Sequence, residues 1–465
     1  MQIYIGVKKF GKIESAEINI SNYTIFVGQN NSGKTYMMQL IYGVLREIEN
    51  FTWDIEEDRW KQLQEGEMLQ SDQFFWQILN EQLGQWLTSQ KEKIVKKTFG
   101  VDIEIEELTM RIEPENCEVS AVLYTEENMG RQGKEKEEEE KQLGSLFNKY
   151  GGRFSIFSVL VKDSARNSRK SFAVSHNFEM NFRSTFSSSL IMQILNIFNG
   201  DEHQMLFLPA SRTGLMLLYR HYFSGKKTQM IEIDETKQEK NENSLGVALP
   251  VYEFLQFLQT YKARTDVVEQ HQELLSFIEQ HLIDGKVEDV GEESVYVPEG
   301  RRQNIPLYLA SSMINELTPL IKALTSIPDI RYLMYDEIET CLHPSKQGEM
   351  ARLFNRMSNQ GIRLIVSTHS DTMASKINNL LLLSFWEGTE EEKAKKCAAL
   401  GLEKADLLQS KNVHVYEFVN TENGTSQVRE LIFHEMPYIG YDFTLFTENT
   451  TALYEESKEI LGLKE

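Results

Sequence analysis

The sequence predicts an α/β fold organised around a phosphate-binding loop, and three observations carry that expectation. Residues Gly28-Gln29-Asn30-Asn31-Ser32-Gly33-Lys34-Thr35 fit the spacing G-x-x-x-x-G-K-[ST]. The β-rich run Tyr23–Val27 leads into them and an apolar, helix-compatible stretch from Tyr36 to Leu45 follows, which is the context that gives the pattern its meaning. Farther along, two apolar runs, Arg331–Tyr335 and Arg363–Thr368, read as strands that end in Asp336-Glu337 and in His369.

Each element has a physical reason. Glycines let the loop backbone wrap an anion with its N–H groups inward, and the following helix adds the positive end of its dipole. Gly28, Asn30, Asn31, Ser32, Gly33, Lys34 and Thr35 are therefore the candidate nucleotide contacts. Lys34 would reach the β- and γ-phosphates, and the Thr35 hydroxyl would ligate Mg²⁺. Asp336 would hold the same Mg²⁺ through water, while Glu337 would orient and polarise the attacking water. His369 would contact the γ-phosphate and sense its presence. A strand ending in two carboxylates is common, and a lone histidine is usually packed or on the surface. The order of the motifs, with His369 33 positions after Asp336, makes them informative together.

At this point the chain resembles the ATP-binding-cassette type of ATPase, in its RecF/SMC-like branch. Leu307-Tyr308-Leu309-Ala310-Ser311-Ser312-Met313-Ile314-Asn315-Glu316-Leu317 resembles the Ser-Ser-Gly or Ser-Ser-Met signature of the prokaryotic "AAA family" of such enzymes, which includes OLD-like and phage-defence members. Asp336-Glu337-Ile338-Glu339-Thr340-Cys341-Leu342-His343-Pro344 is similar to their D-E-P-E-x-x-L-H-P stretch, and Ser367-Thr368-His369-Ser370 to their S-T-H-S switch. Leu208-Pro209-Ala210-Ser211-Arg212-Thr213-Gly214 resembles a recurring P-A-x-R element. Two positions depart from the pattern: Met313 stands for the commonest glycine and Ile338 for proline. No unambiguous glutamine switch is found.

The resemblance implies an ABC-type head, a mixed sheet with helices on both faces, that binds ATP with Mg²⁺. It implies a homodimer or higher homo-oligomer, with Ser311 and Ser312 completing the site of the opposite subunit. On the residues alone, the alternative for the two serines is an ordinary helix N-cap with Glu316 near a capping-box position, and both readings can hold.

From Thr35 to Ser311 is 276 positions, long enough to imply an insertion. The expected organisation is residues 1–48, the start of the head; 49–200, an inserted α+β and helical region; 201–249, a return to the head; 250–300, a helical lobe; 301–390, signature, Asp-Glu strand and His369; and 391–465, a C-terminal extension. Helical spacing runs through 37–98 and 250–283. Strand-like pieces are expected at Val101–Arg111, Glu118–Tyr124, Arg153–Val161 and Lys170–Ser175, with a hairpin around Glu299-Gly300. After His369 come a strand Leu380–Phe385, a charged helix Thr389–Leu400, a hairpin of Val413–Phe418 and Gln427–Phe433, and a helical tail Ala452–Leu461. The tryptophans of the insertion read as core rather than ligand box.

Composition narrows the partners. Hydrophobic residues at 41% and charged residues at 26% are ordinary for a globular chain, and its length suggests two or three lobes. No apolar run reaches membrane-span length and the N-terminus lacks a secretion signal. Three widely spaced cysteines suit a reducing cytoplasm, and Cys341 reads as structural. A net charge of −21 disfavours salt-driven binding to nucleic acid over the whole surface. Arg166, Arg169 and Lys170 could form a local basic patch or a solvated loop, and the run Glu135–Glu140 reads as an exposed tip. No Toprim-like acidic set, H-N-H cluster or zinc spacing is visible in the tail.

The leading expectation is therefore an ATPase acting as sensor or scaffold for a separate, nuclease-like effector in defence against phage or plasmids. The alternative is a DNA-repair or chromosome-maintenance ATPase that clamps DNA, which lacks its long heptads here. A transporter cassette ranks last.

Overall fold

The computed structural model describes residues 1–124, 154–162, 167–175, 179–199, 202–219, 246–291, 293–300, 303–408, 413–434 and 440–461. Arg166 and the run Glu135–Glu140 lie outside them. The α/β expectation is met by a mixed, nine-stranded sheet with helices on both faces. From one edge the strands are Met205–Leu208, Tyr332–Tyr335, Arg363–Thr368, Tyr23–Gly28, Val413–Asn420, Ser426–Leu431, Ile13–Asn19, Gln2–Phe10 and Glu107–Glu113. The first five run parallel. Three of these five, Tyr23–Gly28, Met205–Leu208 and Tyr332–Tyr335, are buried along their whole length, as strands covered on both faces must be.

Alternation of side chains divides the core in two. Phe26, Phe207, Met334 and Ile365 face one cluster, with Met37 and Ile41 of the helix Lys34–Glu47 and Leu79 and Leu83 of the helix Gln73–Phe99. Ile25, Val27, Leu206, Leu208, Leu333 and Leu364 face the other. That second face is covered by the helices Leu249–Thr260, Ser312–Ser326, Pro344–Asn359 and Asp371–Phe385.

The far end of the sheet is mostly antiparallel and half exposed. Glu107–Glu113 alternates exposed and buried residues along the edge beside Gln2–Phe10. This strand comes from the expected insertion, yet it completes the head sheet. Other described strands of the insertion form a four-stranded sheet of Leu69–Gln70, Glu118–Tyr124, Phe154–Lys162 and Asn167–Ser175. Trp53, Trp60 and Trp76 are buried in the core it shares with the head, so the tryptophans are core residues. Arg169 and Lys170 sit on the strand Asn167–Ser175 rather than on a loop.

Several expectations change. Leu380–Phe385 is the last part of the helix Asp371–Phe385, not a strand. Its buried residues Met373, Ala374, Ile377, Leu380 and Leu381 follow helical spacing from the N-cap Ser370, and the short apolar run hid that period. The C-terminal region is not an appendage, because Val413–Asn420 pairs with Tyr23–Gly28 in the middle of the sheet. The turn at Glu299-Gly300 joins Glu293–Pro298 to Ile305–Pro306, and a further strand, Gly285–Val290, pairs on the other side. Thr389 caps the charged helix Glu390–Ala399 in a capping box with Glu392. Cys341 is exposed and carries φ 60°, whereas Cys117 and Cys397 are buried.

Candidate nucleotide site

The strand Tyr23–Gly28 ends in the loop 28–35, and the helix Lys34–Glu47 starts from it. Gly33 is the N-cap, at φ 98°, and no side chain caps this end. The first N–H groups of the helix are thus left for an anion. A Cβ on Gly28, at φ 139°, would lie 2.2 Å from the Phe418 carbonyl, and one on Gly33 would lie 2.9 Å from Ile13. Both glycines are therefore dictated by geometry. Ser32 Oγ donates to Gln29 O at 2.7 Å and is buried, while Asn30 and Asn31 are exposed at the loop tip. Lys34, only 5% exposed, donates to Gly28 O at 3.0 Å, Gln29 O at 2.7 Å and Ser32 Oγ at 3.3 Å. Its ammonium is folded over the mouth of the loop.

Residues that sequence reasoning missed brace the loop from behind. Asn420 donates through Nδ2 to Asn30 O at 3.1 Å, and its N–H to Gln29 Oε1 at 3.2 Å. Lys12 reaches Asn31 O and, at 2.9 Å, Asn420 Oδ1. Nothing local marks these residues, because Asn420 lies some 390 positions from the loop it holds.

The carboxylate pair arrives at the mouth from the next strands. Thr35 Oγ1 donates to Asp336 Oδ2 at 2.8 Å, and Ser367 Oγ donates to Asp336 Oδ1 at 2.5 Å. Asp336 is fully buried. The adjacent Glu337 turns out of the strand at φ 49°, a left-handed conformation uncommon for a residue with a Cβ. Its N–H donates to Ser367 Oγ at 2.8 Å, and its half-buried carboxylate accepts from Thr340 Oγ1 at 3.2 Å. His369 Nδ1 lies 2.9 Å from Gly28 O and 3.4 Å from Lys34 Nζ. The tautomer that satisfies the carbonyl carries its proton on Nδ1 and leaves Nε2 as an acceptor. The His369 N–H donates to Glu339 Oε1 at 2.6 Å. The loop, Thr35, Asp336, Glu337 and His369 thus form one constellation.

Ser311 and Ser312 stand elsewhere on the surface. Both are exposed, at the start of the helix Ser312–Ser326, and Ser311 is its N-cap, accepting from Ile314 N at 3.4 Å. Glu316 does not complete a capping box. It is buried and faces Arg212, with Arg212 Nε 2.9 Å from Glu316 Oε2, because a carboxylate that deep needs a cationic partner. Met313 is half-buried against the second core cluster, and Ile338 is buried in it.

The sequence matches the family model described as AAA ATPase domain over residues 1–374, which spans every motif above. The chain belongs to this AAA ATPase family. Solved structures similar to the AAA ATPase include an Smc head bound to the C-winged helix domain of ScpA, at 13% identity over 92% of this chain and 96% of that one, with a TM-score of 0.36. An SMC head domain from Thermotoga maritima matches at 11% identity over 93% and 100% of the two chains, TM-score 0.33. An Smc head with an extended coiled coil, bound to the C-terminal domain of ScpA derived from Pyrococcus furiosus, matches at 11% over 98% of each, TM-score 0.33. No curated protein matches. No helix among the described residues is long and apolar enough to cross a membrane.

The electrostatics of the AAA ATPase site follow from burial. Desolvation pushes the Lys34 pKa from 10.5 down to about 8, against the opposing pull of Asp336, Glu339 and Glu337. Burial, then the Lys34 charge, lowers the His369 pKa, so its imidazole is neutral. Burial raises the Asp336 pKa, opposed by its bonds from Ser367 and Thr35. The Lys34 shift has a testable consequence. Between about 8 and 10.5 the unfolded lysine binds more protons than the folded one, so this group makes the nucleotide-free protein more stable as pH rises through that window. Phosphate binding requires the ammonium form. Nucleotide affinity is expected to fall above about pH 8, by up to about tenfold per unit, and to stay flat in Lys34→Arg. Titration with a fluorescent nucleotide checks this, and a flat wild-type profile would refute it.

Proposed function

We propose that two copies of this ATPase close around Mg-ATP, with each Ser311-Ser312 turn completing the partner's site. In this reading the closure controls a separately encoded, nuclease-like effector in anti-phage or anti-plasmid defence, within the cytoplasm. The observation that carries the two-copy reading is the surface around the signature. Tyr308 and Leu309, each 68% exposed, lie immediately before the uncovered Ser311 and Ser312, with Leu217 and Leu218 exposed on the helix that starts at 212. A helix end offering N–H groups and hydroxyls, rimmed by bare apolar side chains, suits a surface that another protein covers. The ABC-type assignment and the defence role rest on the resemblance of the Ser-Ser-Met, Asp-Glu and S-T-H-S segments.

Within each copy the geometry supports the following roles. The loop N–H groups and Lys34 bind the phosphates, Lys34 exchanging its carbonyl partners Gly28 O and Gln29 O for phosphate oxygens. The Thr35 hydroxyl and Asp336 carboxylate, already in contact, are the hard oxygen donors that Mg²⁺ prefers. Among the described residues no trio of His, Cys, Asp or Glu is close enough to hold a metal unaided, which fits an ion that takes its remaining ligands from phosphate and water. Thr35, and Asp336 through water, would hold the ion, whose chemistry is to neutralise phosphate charge. Glu337 orients the attacking water and accepts its proton. His369, neutral and fixed through Nδ1 to Gly28 O at 2.9 Å, keeps Nε2 as an acceptor and reports whether the γ-phosphate is present.

Ser312→Arg tests the shared site. Hydrolysis should fall by about a hundredfold, the scale for removing a preorganised donor, while one copy still binds nucleotide with near-normal affinity. Loss of binding itself would contradict the two-copy model. The effector role is checked by co-expressing the neighbouring reading frame and asking whether its product co-purifies in an ATP-dependent way.

A further inference from the structure

Arg212, from the P-A-x-R element, is the largest fully buried side chain among the described residues. Two of its guanidinium nitrogens donate to backbone carbonyls, and the third stands at ion-pair distance from a carboxylate. Nη1 donates to Pro209 O at 2.7 Å and to Asp336 O at 2.6 Å, Nη2 donates to Glu337 O at 3.2 Å, and Nε lies 2.9 Å from Glu316 Oε2. Its plane lies over the Tyr335 ring, 4.2 Å from the centroid. One side chain therefore grips the backbone of both carboxylate residues and, through Glu316, the helix that begins at Ser312.

A second contact runs alongside it. Thr213 N–H donates to Glu316 Oε1 at 2.9 Å, and Thr213 Oγ1 donates to Ser312 O at 3.2 Å. The turn that sets Glu337 in its left-handed conformation and the end of the helix bearing the signature serines are thus pinned to a common fork. Lysine cannot reproduce it, since a single ammonium replaces three nitrogens fixed in a plane.

Building on the two-copy reading, we propose that Arg212 is a positioning residue that couples the two nucleotide sites of the dimer. It makes the Asp336-Glu337 turn, which serves a copy's own ATP, move as one body with the Ser311-Ser312 turn, which serves the partner's. Closure of the signature onto one nucleotide then sets the carboxylate at the other.

The test is a steady-state double-mutant cycle of Arg212→Lys with Ser312→Ala. Arg212→Lys should lower kcat by about tenfold or more while KM for ATP changes by less than about twofold, the pattern of lost transition-state positioning without lost ground-state binding. The double variant should be no slower than the slower single variant, because both act through one unit. Effects that multiply, or an unchanged kcat, would overturn the coupling. Should Arg212→Lys not fold, Thr213→Val removes only the bond to Ser312 O, and its loss of kcat, about threefold, must likewise not multiply with Ser312→Ala. Ser312→Arg separates the two ideas. If it leaves turnover intact, the shared-site reading fails; if it blocks turnover while the cycle is multiplicative, only the Arg212 link fails.

Discussion

Lys34→Ala is expected to eliminate measurable hydrolysis and to weaken nucleotide binding by about a hundredfold or more, on the scale of charge-assisted bonds to phosphate. The loop itself should survive. Lys34 gives the loop three bonds, to Gly28 O, Gln29 O and Ser32 Oγ, but the packing of Gly28 against Phe418 and Gly33 against Ile13 and the Asn420 bridges to Gln29 and Asn30 remain without it. Lys34 meanwhile sits desolvated, its pKa lowered to about 8, so its removal relieves a buried charge. The alanine variant should therefore melt no lower than the wild type without nucleotide, yet gain no stability when ATP is added. Thermal unfolding with and without ATP reads both quantities. A variant still stabilised by ATP to the wild-type extent would show that the phosphates are held elsewhere.

Glu337→Gln is expected to separate binding from turnover. Hydrolysis should fall by about 10²–10⁴-fold, the contribution of a general base, while affinity for ATP stays within about twofold because Lys34 and the loop are untouched. The substitution is sterically mild. Glutamine keeps an oxygen for Thr340 Oγ1, and the backbone at φ 49° is held from outside by Ser367 and Arg212. If the two-copy reading is right, the variant should accumulate as an ATP-loaded dimer by size measurement. Unchanged turnover would mean that another group, such as the carboxylate of Glu339 two residues on, activates the water.

The parts of this site that were legible in the sequence are those where chemistry and local structure coincide. The loop needs its glycines, lysine and threonine in consecutive positions. Asp336, Glu337 and His369 terminate apolar strands, and strand pairing then brings those ends together. Burial of Trp60 and Trp76 agrees with size and helical spacing, while Trp53 is buried from a stretch outside any helix. What stayed hidden was either non-local or disguised. The Arg212–Glu316 pair spans more than a hundred positions, so Glu316 looked like a capping residue. Asn420 and Lys12 are ordinary polar residues until the fold sets them beside the loop. Leu380–Phe385 was misread because a short run of leucines carries no period of its own, and Ser370, the cap that starts its helix, had been absorbed into the histidine motif.

The strand Val413–Asn420 has a consequence for how the chain is made. During synthesis the loop leaves the ribosome early, but Phe418 and Asn420, which fix its outer wall, emerge only some 390 residues later. A nascent chain, or one truncated at residue 374, the end of the family match, would have the lysine and the carboxylates but an open gap in the sheet beside Tyr23–Gly28. A chain lacking Val413–Asn420 is therefore expected to bind nucleotide poorly, because the wall beside the loop is missing.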